Sequence, residues 1–402
     1  MSAAGGKQKG NYVSEWFGQR MYPVVVSTKE SVETQSANRC PFLTESSGMN
    51  TACVKSDQSR GVCTINSPAG ELRQDWLVCP YRAMTPALLE PAIRRLFQLQ
   101  IGSTPLIRRA DSLQLSTIRE EILAHLNTGS QVYAYFDQKV GGEVSIPRTE
   151  RSPEFSFDVT VVEIIKSGDT PAVGRFGILE IQTMDFHGSY RTAVRNLKEN
   201  LRMFAGTFGD QFSRNPHLLS EDVEGPNIAN VFKRTFYQMM FKFQLGQHER
   251  CAGCVLAIPA AVWRSWIPHL GGAQLTHVQG NRYELCKPGT VLQKTSPAYI
   301  FIFDTAASQN VTPSPLIVTH EVATDTASLG HFALEVAPAH ALETIDAVRG
   351  PIATLRQRIA RLWPELGASL SVGGPELGEA ADGRPKRTRA KKPSTPKQER
   401  LL

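Results

Sequence analysis

Hydrophobic and polar positions along the chain change period several times, and those changes mark its elements. Residues 131–185 hold VYAYFD, EFSFDVTVVEII and RFGILEIQTM, three runs that alternate apolar with polar and are rich in Val, Ile, Phe and Tyr, the pattern of strands. GCVLAIP and AYIFIFD further on are short continuous apolar runs and predict two buried strands, and YPVVVS at residues 22–27 predicts another near the start. Helical spacing covers residues 86–99, with Pro91 expected to kink the helix, and residues 115–126, which end at Asn127 and Gly129. It returns at 190–204, at 227–245 between Gly225–Pro226 and Gly246, at 261–270 and at 352–363. Strands and helices mixed in this order predict an α/β core with helices on the sheet faces. There is no internal repeat.

Length and charge refine this picture. The 402 residues suit two modules, or one core with a large elaboration, and 41% apolar residues suffice for a sizeable core. No run approaches the roughly 20 apolar residues of a membrane span, and MSAAGGKQKG has no apolar signal region, so a soluble intracellular protein with no membrane partner is expected. The formal charge of +6 is concentrated at one end. From Arg384 onward there are eight basic residues and one acidic, leaving 36 basic against 37 acidic elsewhere. That Pro/Ser/Thr/Lys-rich tail is expected to be disordered. It either adds non-specific affinity for nucleic acid or serves only as a solubilising end.

Residues 39–82 are poor in apolar periodicity but hold Cys40, Cys53, Cys63 and Cys79, separated by 12, 9 and 15 residues. A segment that cannot fold by burial alone needs a staple, and inside a cell a metal is favoured over disulfides. Four thiolates suit tetrahedral zinc or iron. The missing CxxC pairs leave disulfides and unrelated buried cysteines open. Cys251 and Cys254 do form a CxxC, but at the entrance to an apolar strand rather than a helix, and read as two small buried residues.

The candidate chemistry lies in SPEFSFDVTVVEIIK and GRFGILEIQTMDFHGSY. Asp158 sits in one strand-like run, and Glu180 and Gln182 sit on one face of the next. If these strands pair, the two carboxylates converge, and such a pair is costly to bury unless it holds a cation, for which hard oxygens select Mg²⁺. Glu163 and Asp185 are competing carboxylates. Glu143, beside Gly141 and Gly142, is a further candidate that reaches the same cavity or occupies a hairpin turn. This is the layout of PD-(D/E)xK nucleases, with Gln182 where the lysine usually stands.

The runs CPFLTESSGMNTACVK, SRGVCTIN, DWLVCP, SPEFSFD, GILEIQTMDFHGSY, EGPNIANVFKRTFYQM and RCAG together resemble the rare-cutting type II restriction endonucleases of the NotI type. The resemblance spans about residues 16–363 and is weakest over 281–346. It implies a PD-(D/E)xK restriction-endonuclease-like core over residues 106–370, preceded by a region (1–105) with a four-cysteine metal-binding domain and followed by the basic tail (371–402). It implies a homodimeric, Mg²⁺-dependent enzyme of the prokaryotic cytoplasm that cuts double-stranded DNA at a GC-rich palindrome. On matched positions, Asp158 and Glu180 bind the catalytic metal, Gln182 replaces the lysine, Glu143 is an additional acid, and the four cysteines hold one structural iron (or zinc).

Arg191, Arg195, Lys198 and Arg202, where Ser189 is a candidate helix cap, and Lys233, Arg234 and Lys242 on the later helix are candidates for phosphate contact, each with an ordinary solvated face as the alternative. Gln19, Arg20, Gln35, Arg39 and Arg60 are candidates for reading bases. Two alternatives stand beside this expectation. One is a nuclease directed at DNA structure or damage; the other is a non-catalytic four-cysteine DNA-binding protein.

Overall fold

The computed structural model describes residues 10–69, 72–137, 144–292, 298–305, 312–343, 345, 347 and 350–365. The chain is mixed α/β. A four-stranded antiparallel sheet opens it, built from β1 (Tyr12–Trp16), β2 (Gln19–Arg20), β3 (Val62–Ala69) and β4 (Leu72–Leu77) in the order β2-β1-β3-β4. The strands that follow are β5 (Leu106–Arg109), β6 (Val132–Asp137), β7 (Ser145–Ile146), β8 (Phe155–Ser156), β9 (Val159–Ser167) and β10 (Thr170–Ile181). After them come β11 (Phe186–Gly188), β12 (Val223–Pro226), β13 (Cys251–Pro259), β14 (Thr276–Gln279), β15 (Arg282–Glu284), β16 (Ala298–Thr305) and β17 (Leu316–Thr324). Nine of these form one mixed sheet in the order β14-β15-β17-β16-β13-β10-β9-β6-β5.

The centre of this sheet positions the candidate site. β9 and β10 are an antiparallel hairpin turned at Gly168, whose φ of +62° favours glycine. β13 then pairs parallel to β10, with Glu180 opposite Leu256. The outer half of β10 is exposed and its last five residues, Gly177–Ile181, are buried. The strand therefore carries its acidic residue into the core only at its C-terminal end. Successive side chains go to opposite faces. Ile178 and Leu256 join one apolar cluster with Val231, Met239 and Phe243 of the Ile228–Leu245 helix. Leu179, Ile181 and Val255 join another with the Pro86–Leu96 helix, into which Cys40, Cys63 and Cys79 also pack. Gly177 allows that helix close approach, since a Cβ there would lie 3.0 Å from Leu96 Cδ1.

The expected helices form as Pro86–Leu96, Ser116–Asn127, Arg191–Phe204, Ile228–Leu245, Ala260–Trp266 continued by a 3₁₀ turn, and Pro351–Leu362. Two expectations fail. Residues 22–27 are not a strand: Pro23 has no N–H for a ladder, and Tyr22 instead stacks on Tyr12 with ring centroids 4.1 Å apart. The cysteine region is not short of core either. It contributes Phe42, Leu43, Val62, Ile65, Trp76 and Leu77, all buried.

The chain divides into two compact units, Met1–His340 and Ala341–Leu402. An ionic staple ties distant parts of the first unit together. Arg82 donates to Glu15 at 2.7 Å with both side chains 1% exposed, Ser314 N–H donates to Glu15 Oε1 at 3.1 Å, and Arg82 also donates to the Ser314 carbonyl. Arg20 pairs with Asp75 at 2.5 Å and donates to Ser314 Oγ. The early sheet is thus fastened to the segment that leads into β17. Among the described residues no helix is long and apolar enough to cross a membrane.

Candidate active site and cysteine cluster

Asp158 and Glu180 meet where β9 begins and β10 ends. The Asp158 backbone N–H donates to Glu180 Oε1 at 3.2 Å. In return Asp158 Oδ2 accepts from the Ile181 N–H at 3.0 Å. Each carboxylate is therefore anchored on the other's strand. They line a predominantly polar cavity of about 410 Å³ with Gln182, Thr235, Gln238, Lys242 and neighbours from both strands and the Ile228–Leu245 helix. Burial, then the adjacent Asp158, pushes the Glu180 carboxyl up to about 8, against the opposing pull of Lys242.

Gln182 follows the last residue of β10 and continues the ladder, its N–H donating to the Ala257 carbonyl at 2.9 Å. Its side chain faces the same helix. Thr235 Oγ1 donates to Gln182 Oε1 at 2.5 Å, and Gln182 Nε2 donates to the Thr183 carbonyl at 2.5 Å. The amide is tied at both ends to protein.

Lys242, expected among the phosphate-contacting charges of its helix, is instead buried, with its Nζ 2.5 Å from Glu180 Oε2 and 5.7 Å from the centre of the Phe157 ring. Its sequence signal is faint but present. Thr235, Met239 and Lys242 are spaced i, i+4, i+7 and share the buried side of the helix.

Of the competing carboxylates, Glu163 lies farther along β9, opposite Tyr133, and pairs with Arg175 at 3.6 Å. Asp185 lines the cavity but is half-exposed and pairs with Arg234 at 2.8 Å. Glu143, Gly141 and Gly142 lie outside the described residues, as does the basic tail from Arg384.

Outside the cavity, Arg191, Arg195 and Arg202 are exposed on the helix that follows the β10 end, while Ala193, Val194, Leu197 and Leu201 bury its other side. Lys198 lies 3.6 Å from Asp57. Tyr190 occupies the N-cap of this helix and no side chain caps it, so Ser189 is not the cap. Two proposed base readers are withdrawn by the fold. Arg20 is buried in the ionic staple, and Gln35 is buried with its Nε2 donating to the Trp16 carbonyl. Arg60 pairs with Asp57 at 2.9 Å.

The four cysteines gather from four segments. Burial, first of all, raises the Cys40 thiol to about 11 and raises Cys63 and Cys79. The thiols also raise one another: Cys79 and Cys53 act on Cys40, Cys79 and Cys40 on Cys63, and Cys53 on Cys79. All four are free of disulfides. One device recurs twice. Cys40 and Cys79 are each the N-cap of a short helix with proline at its first position, and the backbone amides of Leu43 and Phe42, and of Arg82 and Tyr81, favour a negative sulfur. Lys55 adds charge beside Cys79 and holds the neighbouring strands, donating to the Val62 and Val78 carbonyls at 2.8 and 3.0 Å.

Tested against a metal, both sites offer the right donors but not a closed cage. Among the described residues no three His, Cys, Asp or Glu side chains are grouped closely enough to hold a metal ion. For the carboxylate pair this is compatible with Mg²⁺, which keeps several waters and takes one or two carboxylates together with substrate phosphate. For the thiols it means that ligation requires the sulfurs to draw together. Cys251 and Cys254 open β13, all nine residues of which are buried, as two small core residues should. In comparisons with known proteins, the chain matches no protein-family model and no curated protein sequence.

Proposed function

We propose that this chain is a Mg²⁺-dependent type II restriction endonuclease with a PD-(D/E)xK core, acting as a homodimer on double-stranded DNA at a GC-rich palindrome in the prokaryotic cytoplasm. The observation that carries the reading is the reciprocal anchoring of Asp158 and Glu180 at the floor of a polar cavity. Two carboxylates brought together carry more negative charge than the one buried ammonium beside Glu180 offsets, which favours a bound cation, and the sequence runs around them resemble those of the NotI-type enzymes.

The reaction is hydrolysis of a phosphodiester. Asp158 and Glu180 would hold the metal, which supplies Lewis-acid stabilisation of the phosphate and lowers the pKa of water. Their anchoring to each other's strands fixes the direction of their oxygens before substrate arrives. Gln182, tied to Thr235, acts through that helix by fixing it against the end of β10. On this reading exposed Arg191, Arg195 and Arg202 would meet a phosphate backbone, and the dimer's two-fold symmetry would match that of a palindrome.

Cys40, Cys53, Cys63 and Cys79 would hold one iron or zinc, a structural group that draws the loops beside the first sheet together. The chemistry of the donors fits: four free thiols in one neighbourhood, two of them at helix starts whose amides favour thiolate.

Incubation of the full-length protein with plasmid and genomic DNA, with and without Mg²⁺, followed by sequencing of the ends, tests the reading. Uniform ends at one palindrome are expected. Ends clustered at junctions or lesions would support a structure- or damage-directed nuclease instead. Binding without any cleavage would support a non-catalytic DNA-binding protein.

A further inference from the structure

We propose that Lys242, on the Ile228–Leu245 helix, supplies the positive charge that Gln182 cannot, and is a catalytic residue of this site. The inference rests on the nuclease reading above and adds to it a residue from a different element.

The charges that line the cavity are unevenly placed. Asp158, Glu180, Glu154 and Asp185 are acidic, and the cations among the described lining residues are Arg234 and Lys242. Arg234 is 71% exposed and engaged by Asp185, so it belongs to the rim. Lys242 is 5% exposed and its ammonium lies 2.5 Å from Glu180 Oε2. Among the described lining residues it is the cation placed inside. The helix matches the strand end residue for residue: Thr235 meets Gln182 and, two turns later, Lys242 meets Glu180. The Gln182 amide is engaged in this docking, with its oxygen accepting from Thr235 and its nitrogen donating to the Thr183 carbonyl. Gln182 thus fixes the helix that carries the charge.

Lys242 does offset the buried charge of Glu180, but that pairing alone does not call for an ion pair at this place. A buried ion pair is commonly matched or bettered by apolar residues of similar size, and Phe157, Met239 and Leu256 already surround this one. What a buried ammonium does supply is charge at a place where charge develops. In hydrolysis the water oxygen forms a bond to phosphorus, the P–O3′ bond breaks, the water's proton leaves to solvent, and the departing 3′-oxygen takes a proton from solvent. Lys242 offsets the negative charge that accumulates on the phosphate oxygens. The ammonium's partner is Glu180 Oε2. A divalent cation held by Asp158 and Glu180 would compete with Lys242 for Glu180 and would leave the ammonium free to face the phosphate.

The test uses the full-length protein, with wild type, Lys242→Met, and Lys242→Met combined with Gln182→Lys. Two quantities are read: the single-turnover rate of plasmid cleavage in Mg²⁺, and Ca²⁺ affinity by calorimetry without turnover. Lys242→Met is expected to cut at least about 10²-fold more slowly and to bind Ca²⁺ several-fold more tightly. Returning a lysine to position 182 is expected to recover at least about tenfold of the lost rate. Lys242→Gln, which keeps a hydrogen bond to Glu180 without the charge, replaces the Met variant if that one does not fold. Cleavage by the uncharged variant within about threefold of wild type overturns the proposal, and so does an unchanged Ca²⁺ affinity. If wild type itself cuts no DNA, the nuclease reading fails, while the Ca²⁺ comparison still decides whether Lys242 contests the carboxylates.

Discussion

Asp158 and Glu180 hold each other in place through backbone on opposite strands: the amide of one donates to the carboxylate of the other, and the favour is returned one residue further on. Neither oxygen can shift without loosening the end of β9 or β10. Replacing Asp158 or Glu180 by Ala should reduce Mg²⁺-dependent cleavage by at least about 10²–10³-fold. Sequence-specific binding in Ca²⁺ should survive. Plasmid cleavage and a gel-shift series measure both, and cleavage at wild-type rate by either variant removes that residue from the site.

Glu180 gives the metal-free protein a pH dependence of definite sign. Its folded value, about 8, lies above the ordinary 4.5 because burial and Asp158 disfavour the charged form. The folded state therefore binds this proton more tightly than the unfolded chain. The resulting stabilisation is complete below pH 4.5 and is lost as pH rises toward 8. In EDTA, the melting temperature of wild type should fall relative to that of Glu180→Gln between pH 5 and 8. Parallel curves for the two proteins would contradict the assignment.

Burial makes the Cys40, Cys63 and Cys79 thiols poor acids in the metal-free protein, so loading a metal must release protons. Protein purified without chelator should hold one iron or zinc per chain by elemental analysis. Cys63→Ser or Cys79→Ser should lower both the metal content and the melting temperature. A metal-free Cys→Ser variant with wild-type stability and cleavage would show the thiols to be ordinary core residues.

The Glu15–Arg82 pair is almost sealed from solvent, so removing one partner strands the other. Glu15→Ala or Arg82→Ala should cost about 3–5 kcal/mol, read from urea unfolding. Replacing both together by apolar residues should cost much less than either single change.

Exposed arginines on the Arg191–Phe204 helix bear on affinity rather than chemistry. Changing Arg191, Arg195 and Arg202 to Gln should lower the slope of log affinity against log salt by about 0.9 for every phosphate that is no longer neutralised. Fluorescence anisotropy across a salt series measures this, and an unchanged slope places the DNA elsewhere.

Much of the sheet and its helices was legible because their periods are strong: the β9–β10 hairpin and the Ile228–Leu245 helix lie where alternation and helical spacing put them. The convergence of Asp158 with Glu180 followed from the pairing of two adjacent runs. Lys242 was not legible as a site residue. On a helix with other basic residues a lysine resembles a solvated charge, and only the docking of that helix against β10 buries it. The first sheet was hidden for a related reason. β1 is buried on both faces, including Ser14 and Glu15, so its polar residues look like loop positions. Their partners, Thr64 for Ser14 and Arg82 for Glu15, come from 50 and 67 residues away.

The fastening at Ser314 has a consequence for how the protein is made. Glu15 and Arg82 leave the ribosome long before Ser314, whose N–H and carbonyl complete their hydrogen bonding. The N-terminal sheet cannot reach its final burial until Ser314 has been translated. Nascent or prematurely ended chains therefore keep an open seam at this pair. Such chains are the natural prey of cellular proteases, and a chain that includes Ser314 is the first form able to close.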